Sequence, residues 1–231
     1  MHTNNPTLVP LGRTVNYVDL DLSFGLSETL IATIHHACDQ IEGEGCEGVL
    51  TIHLKGNGCA DITTNPGDPV EVHRVNAWNR ALRRIERVEA TTISVVEESV
   101  NSLGLAVLLT TDFRVACVGV EFGLNYSGGG IMPDMTLFRL VNQAGTAATR
   151  QLCLFSSKIS AVEAEQLRLI DKISENTAAC VERFLRERDV MDAANHCVRR
   201  RLISEACTAS YEDAIGRHLA ASDRFLRNIK P

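Results

Sequence analysis

The chain has 231 residues, a hydrophobic fraction of 45%, a charged fraction of 23% and a formal net charge of -6, the proportions of an ordinary globular protein able to bury one α/β core. The acidic balance argues against a nucleic-acid partner, because backbone affinity comes from clustered Lys and Arg. No stretch approaches the ~20 apolar residues of a membrane helix, and the polar start Met1-His2-Thr3-Asn4-Asn5 lacks the regions of a signal peptide, so the expected location is the cytoplasm with no membrane partner.

Thr14 to Leu22 alternates apolar and polar residues, which predicts a strand. A helix follows, with Ser27 as its cap and Leu30, Ile31, Ile34, Ala37, Cys38 and Ile41 on one face, up to the break at Gly43-Glu44-Gly45. Val49 to Leu54 reads as a buried strand, completing a β-α-β opening. The segment Ile62 to Pro69, rich in Thr, Asn, Gly, Pro and Asp, reads as a surface loop of the kind that borders a site. Helical spacing resumes at Val75, Trp78, Leu82, Ile85 and Val88, before a strand at Thr92–Val96, an apolar helix around Leu103 to Leu109 and a strand at Phe113–Val118. From Pro133 onward the apolar spacing is mainly helical, through Leu137, Leu140, Val141, Ala148, Leu152, Ala161, Ala164 and Leu167. The eight cysteines are widely spread without a C-x-x-C pair, which predicts reduced, mostly buried thiols and no metal site; the run Arg199-Arg200-Arg201 predicts a solvated helix face.

Alternating strands and helices specify only an α/β class, which hosts many chemistries. The specific signals are local. Gly145-x-x-Ala148, Leu152-Cys153-Leu154 and Ile159-Ser160-Ala161-x-Glu163-Ala164-x-x-Leu167-x-Leu169-Ile170-Asp171, with Phe122-Gly123, Gly130-x-x-Pro133 and Thr111-Asp112-Phe113-Arg114-Val115-Ala116 before them, resemble the signature segments of the enoyl-CoA hydratase/isomerase (crotonase) superfamily over residues 14–175. The resemblance implies an α/β crotonase fold, a spiral of ββα units over residues 1–175 followed by a C-terminal helical oligomerisation segment over 176–231, together one domain. It also implies a homotrimer or hexamer, whose interface Cys180, Phe184, Leu185, Ala214, Ile215, Leu219, Phe225 and Leu226 would supply unless they cap the monomer's own core.

The shared device of that superfamily is an oxyanion hole of two backbone N–H groups that holds the oxygen of a CoA thioester; such donors can each supply ~100–1,000-fold in rate. By the resemblance the first donor falls on Gly58, before Cys59-Ala60-Asp61, with a plain turn as the competing reading. The second falls on Leu103, in Ser102-Leu103-Gly104, where the family has a glycine triplet and this chain keeps one glycine. The two hydratase glutamates of the family match Ala106 and Tyr126, so hydration by a glutamate pair is not expected. Asp134, directly after Pro133, matches a catalytic aspartate of several relatives and equally suits a helix cap; Tyr126 can donate a phenol proton or simply satisfy a carbonyl. Glu97 and Glu98 read as a solvated pair.

Two functions from different classes follow. One is a crotonase-type dehydratase or isomerase, with Gly58 and Leu103 holding the oxyanion, Asp134 and Tyr126 doing the chemistry, and no cofactor beyond the CoA of the substrate. The other is a catalytically reduced accessory protein that stimulates another enzyme. The short length, the missing glutamates and the segment from Arg199 to Ala221 resemble the superfamily branch that serves dihydroxyphenylacetyl-CoA formation in glycopeptide-antibiotic pathways, which implies a polyketide synthase as partner.

Overall fold

In the computed structural model, residues 14–56, 71–124, 133–156, 158–190 and 193–228 are described. The chain opens with β1 (Val15–Asp21), α1 (Glu28–Glu42) and β2 (Val49–Lys55). Ser27 Oγ accepts the Leu30 N–H at 3.2 Å, and the buried face of α1 is the expected one: Leu30, Ile31, Ile34, Ala37, Cys38 and Ile41. A 3-10 turn at Gly45–Glu47 leads into β2. Next come α2 (Val72–Arg87), β3 (Thr91–Val96), α3 (Ser102–Leu108) and β4 (Phe113–Ala116). Helix crossovers between successive strands make them parallel, and all six residues of β3 are buried because both faces of the sheet are covered.

The remainder differs in detail from an all-helical expectation. After β4 the chain forms β5 (Glu121–Gly123), α4 (Met135–Phe155), β6 (Lys158–Ser160), α5 (Ala161–Gln166) and β7 (Lys172–Ile173), then α6 (Thr177–Val190), α7 (Ala193–Ala206) and α8 (Tyr211–Asn228). The main sheet is β1-β2-β3-β4-β7, all parallel, and β5 pairs antiparallel with β6. Strands of two or three residues are too short to show a two-residue period, so β5, β6 and β7 escaped the pattern. Helix α4 is kinked at Gly145, where φ is +83°, a conformation that glycine adopts without steric cost.

Alternation along the strands divides the core. Leu50, Ile52 and Leu54 join α1, α2 and α3, including the fully buried Trp78, on one face. Val49, Ile93, Val95, Phe113 and Val115 face α6, where Cys180, Val181 and Leu185 bury themselves and Phe184 stacks on Phe113 at 4.0 Å. Cys180, Phe184 and Leu185 therefore belong to the monomer's own core rather than to a subunit interface. The part of 176–231 that contains them completes the sandwich over the sheet. On α8, by contrast, Ile215, Leu219, Phe225 and Leu226 are exposed.

The residues that carry the family signature turn out to be structural joints. Ser160 and Glu163 form a reciprocal capping box at the start of α5. Asp112 Oδ2 accepts from the N–H and hydroxyl of Thr92 at 2.8 and 2.9 Å. Arg114 donates to the carbonyl oxygens of Thr111, Leu169 and Leu109 and its backbone N–H donates to Asp171, fastening β4 to the chain that leads into β7.

Two sequence expectations are corrected here. Arg200 is not on a solvated face: its Nε pairs with Asp112 Oδ1 at 2.5 Å and its other nitrogens donate to the carbonyls of Ile85, Val88 and Ala90, so it anchors α7 to the body. Arg199 and Arg201 are exposed as expected. Among the described cysteines only Cys38 and Cys180 are buried, while Cys46, Cys117, Cys153 and Cys197 are half-buried and Cys207 is exposed.

Candidate functional site

In open α/β sheets, ligands approach the carboxyl ends of the strands, and this is where the sequence-expected donors fall. β1 and β2 end side by side, with the Leu22 N–H donating to Lys55 O at 2.8 Å. Gly56 then turns away with φ +135°, and a Cβ there would lie 3.1 Å from Ser23 N, so glycine is required at the exit from β2. Gly58, two residues on, lies outside the described residues, as do Tyr126 and the Ile62–Pro69 segment.

The start of α3 is fully visible. Asn101 is its cap: Oδ1 accepts the Leu103 N–H at 3.1 Å and the Gly104 N–H at 3.3 Å, and Nδ2 reaches Leu22 O at 3.4 Å. The N–H expected to hold a thioester oxygen is therefore engaged by a carboxamide oxygen. A substrate carbonyl would have to share that donor with Asn101 or displace it. Leu103 itself is 2% exposed and packs into the core. Gly104 is the glycine that survives for a packing reason: a Cβ would meet Val100 Cβ at 2.7 Å and Leu22 Cδ1 at 2.8 Å. Ala106 is buried as well and places no carboxylate near the helix start.

Asp134 caps α4. Its Oδ1 accepts the Thr136 N–H at 2.8 Å, the residue is half-buried, and Oδ2 has no partner among the described residues. Capping and chemistry are thus compatible, because the cap uses one oxygen and leaves the other. Glu97 and Glu98 are exposed, and Glu97 Oε1 accepts the Thr177 hydroxyl at 2.6 Å, tying the end of β3 to the start of α6.

The described residues also enclose a cavity of about 750 Å³ at the opposite, amino-terminal edge of β4. Its walls are Leu109 to Asp112, the first half of α4 and the inner face of α7. Met135 belongs to its wall, yet Asp134 and Leu103 do not. Burial opposes the charge of Glu86 there, but the guanidiniums of Arg139, at 2.6 Å, and Arg83, at 2.8 Å, hold its carboxyl below the usual range. Burial also keeps the His196 imidazole below its ordinary pKa. Every carboxylate in this wall is paired with arginine, so nothing here is poised to move a proton, and sequence reasoning gave no sign of the cavity because it is assembled from three distant segments.

Comparison with known proteins agrees with this geometry. Residues 70–229 match the family model described as enoyl-CoA hydratase/isomerase. The chain is 33% identical over 208 residues to a protein of Amycolatopsis orientalis named enoyl-CoA-hydratase, covering 90% of this chain and 94% of that one. It is 25% identical over 160 residues to a putative enoyl-CoA hydratase/isomerase of Bacillus subtilis, covering 65% and 62%. The fold superposes on an enoyl-CoA hydratase structure from Mycobacterium smegmatis with a TM-score of 0.79 at 16% identity, covering 94% of this chain and 90% of that chain. A family structure from Silicibacter pomeroyi gives 0.77 at 19%, covering 95% and 98%. The α/β crotonase fold expected from the signature is the fold observed.

Proposed function

Because the chain belongs to the enoyl-CoA hydratase/isomerase family, whose members are lyases and isomerases of acyl-CoA thioesters, we propose that it is a dehydratase or isomerase that uses one aspartate in place of the two hydratase glutamates. The observation that carries this reading is Asp134: capping uses Oδ1, and Oδ2 remains for proton transfer. The thioester oxygen would rest on the N–H groups of Gly58 and Leu103, the latter taken over from Asn101 Oδ1. Asp134 would remove a proton beside the carbonyl and return it at another carbon, or to a departing hydroxyl, with Tyr126 as a second proton donor. CoA enters as part of the substrate, and no further cofactor is required for this chemistry.

The finer reading is a role in secondary metabolism of the dihydroxyphenylacetyl-CoA type, in the cytoplasm, beside a polyketide synthase that forms the thioester. It rests on the sequence likeness of the short chain and its C-terminal segment. A homotrimer or hexamer is part of the same reading, and the exposed Ile215, Leu219, Phe225 and Leu226 on α8 support it.

One observation favours a second reading, an accessory protein that binds and stimulates a pathway enzyme: the Leu103 N–H is already occupied and Ala106 supplies no carboxylate. Asp134→Asn separates the two, since Asn caps a helix about as well as Asp and the fold should persist. The variant is assayed for turnover of an aromatic enoyl-CoA, for thermal stabilisation by that ester, and for stimulation of the polyketide synthase. Enzymatic action predicts a loss of roughly 100–10,000-fold in turnover with binding retained. Undiminished turnover would remove Asp134 from the mechanism, and full stimulation by an inactive variant would favour the accessory role.

A further inference from the structure

Cys46 and Cys197 come from distant parts of the chain, the 3-10 turn before β2 and the body of α7. Several contacts bring these two parts together. Arg188, 3% exposed near the end of α6, donates through Nη2 to the carbonyl oxygen of Cys46 at 2.8 Å. The Cys197 thiol donates to the carbonyl oxygen of Glu89 at 2.9 Å, and Arg200, one helical turn further along α7, binds the carbonyls of Val88 and Ala90 on either side of it. The two thiols hydrogen-bond to each other, and burial together with Cys46 pushes the Cys197 thiol up to about 12. Neither residue is sealed: both are half-buried, in contrast to Cys38 and Cys180.

We propose that Cys46 and Cys197 form a reversible disulfide site, closed by a low-molecular-weight disulfide such as oxidised glutathione, that fastens α7 covalently to the sheet. The order of events follows from the environment. The thiolate is the attacking species, and the Cys197 thiol is held protonated, so Cys46 attacks the external disulfide first. That step forms a mixed disulfide at Cys46 and expels one thiolate. The Cys197 sulfur then attacks Cys46 Sγ, the mixed disulfide breaks, and the second thiolate leaves. The two protein thiols lose two protons and two electrons in all, and the oxidant becomes two thiols. The closed loop spans about 150 residues, so the constraint on the unfolded chain is large.

The site is independent of the catalytic reading, since neither cysteine lies at the start of α3 or α4. Its test uses the full chain, incubated with oxidised or reduced glutathione, then alkylated, digested and mapped by mass spectrometry, with thermal melting in parallel. The expected result is one linked pair of peptides carrying Cys46 and Cys197, a protein lighter by two hydrogens, and a melting temperature raised by about 5–10 °C, all reversed by dithiothreitol. Cys197→Ser should stop at the mixed disulfide on Cys46 and show no rise. Alkylation of both thiols after oxidation, a link through Cys207 or Cys153 instead, or a Cys46–Cys197 link that leaves the melting temperature unchanged would each overturn the proposal. Because the peptide map is read on the unmutated protein, a variant that folds poorly does not decide the outcome.

Discussion

Replacing Arg200 by Ala tests how α7 is held. The guanidinium spends its nitrogens on Asp112 Oδ1 at 2.5 Å and on three carbonyl oxygens at the end of α2 and in the turn before β3. The two side chains are 14% and 16% exposed, so most of the pair is out of water. Without Arg200, Asp112 keeps its two hydrogen bonds from Thr92 but loses its counterion, and the carbonyls of Ile85 and Val88 lose a donor. Breaking one side of a buried pair costs about 3–5 kcal/mol. The residual exposure here lets water soften the loss to about 2–4 kcal/mol. At about 2–4 °C per kcal/mol for a chain of this size, melting should fall by roughly 5–15 °C. The assay is thermal and urea unfolding of wild type, Arg200→Ala, Asp112→Asn and the double variant. If the pair acts as one unit, the double variant loses less than the sum of the singles by about 1–3 kcal/mol. A single-variant loss below about 0.5 kcal/mol, or additivity within that margin, would refute the assignment of Arg200 as the anchor.

Two further outcomes follow from local geometry. Gly104→Ala should destabilise by about 1–2 kcal/mol in urea unfolding, because overpacking against Val100 and Leu22 costs about 1–3 kcal/mol and the helix-propensity gain returns at most about 1; a stabilised variant would show that the contact relaxes freely. Burial lowers the pKa of His53 and of His196 below 6.5, so the unfolded chain takes up protons before the folded one does. Their contribution is complete above about pH 6.5 and is lost as pH falls through the lower folded values. Melting temperature should therefore drop between about pH 7 and pH 5, and the double variant His53→Gln, His196→Gln should flatten that slope; a wild-type profile flat over this range would contradict it.

Much of the first half of the fold was legible because its elements are long enough to express a period. The six buried positions of α1 and its Ser27 cap could be read from spacing alone, as could β1, β2, β3 and β4. The signature around Ile159 to Asp171 pointed to the correct fold, and the structure supplies its physical content: a capping box at Ser160 and Glu163 and a joint between Asp171 and Arg114. Of the candidate site, Asp134 was legible both as a cap and as a carboxylate with a second oxygen to offer.

The sequence by itself determined the fold class, the principal strands and helices, and the positions where the two hydratase glutamates are missing, because these depend on residue identity and short spacings. Only the tertiary structure decided that Asn101 occupies the Leu103 N–H, that Arg200 turns inward to Asp112, and that Cys46 meets Cys197. The Leu103 contact spans two positions, but whether a side chain caps a helix or faces a ligand depends on how Asn101 is held against Leu22, far away in sequence. Pairing across the core is set by how layers pack, and no local period in the chain encodes it.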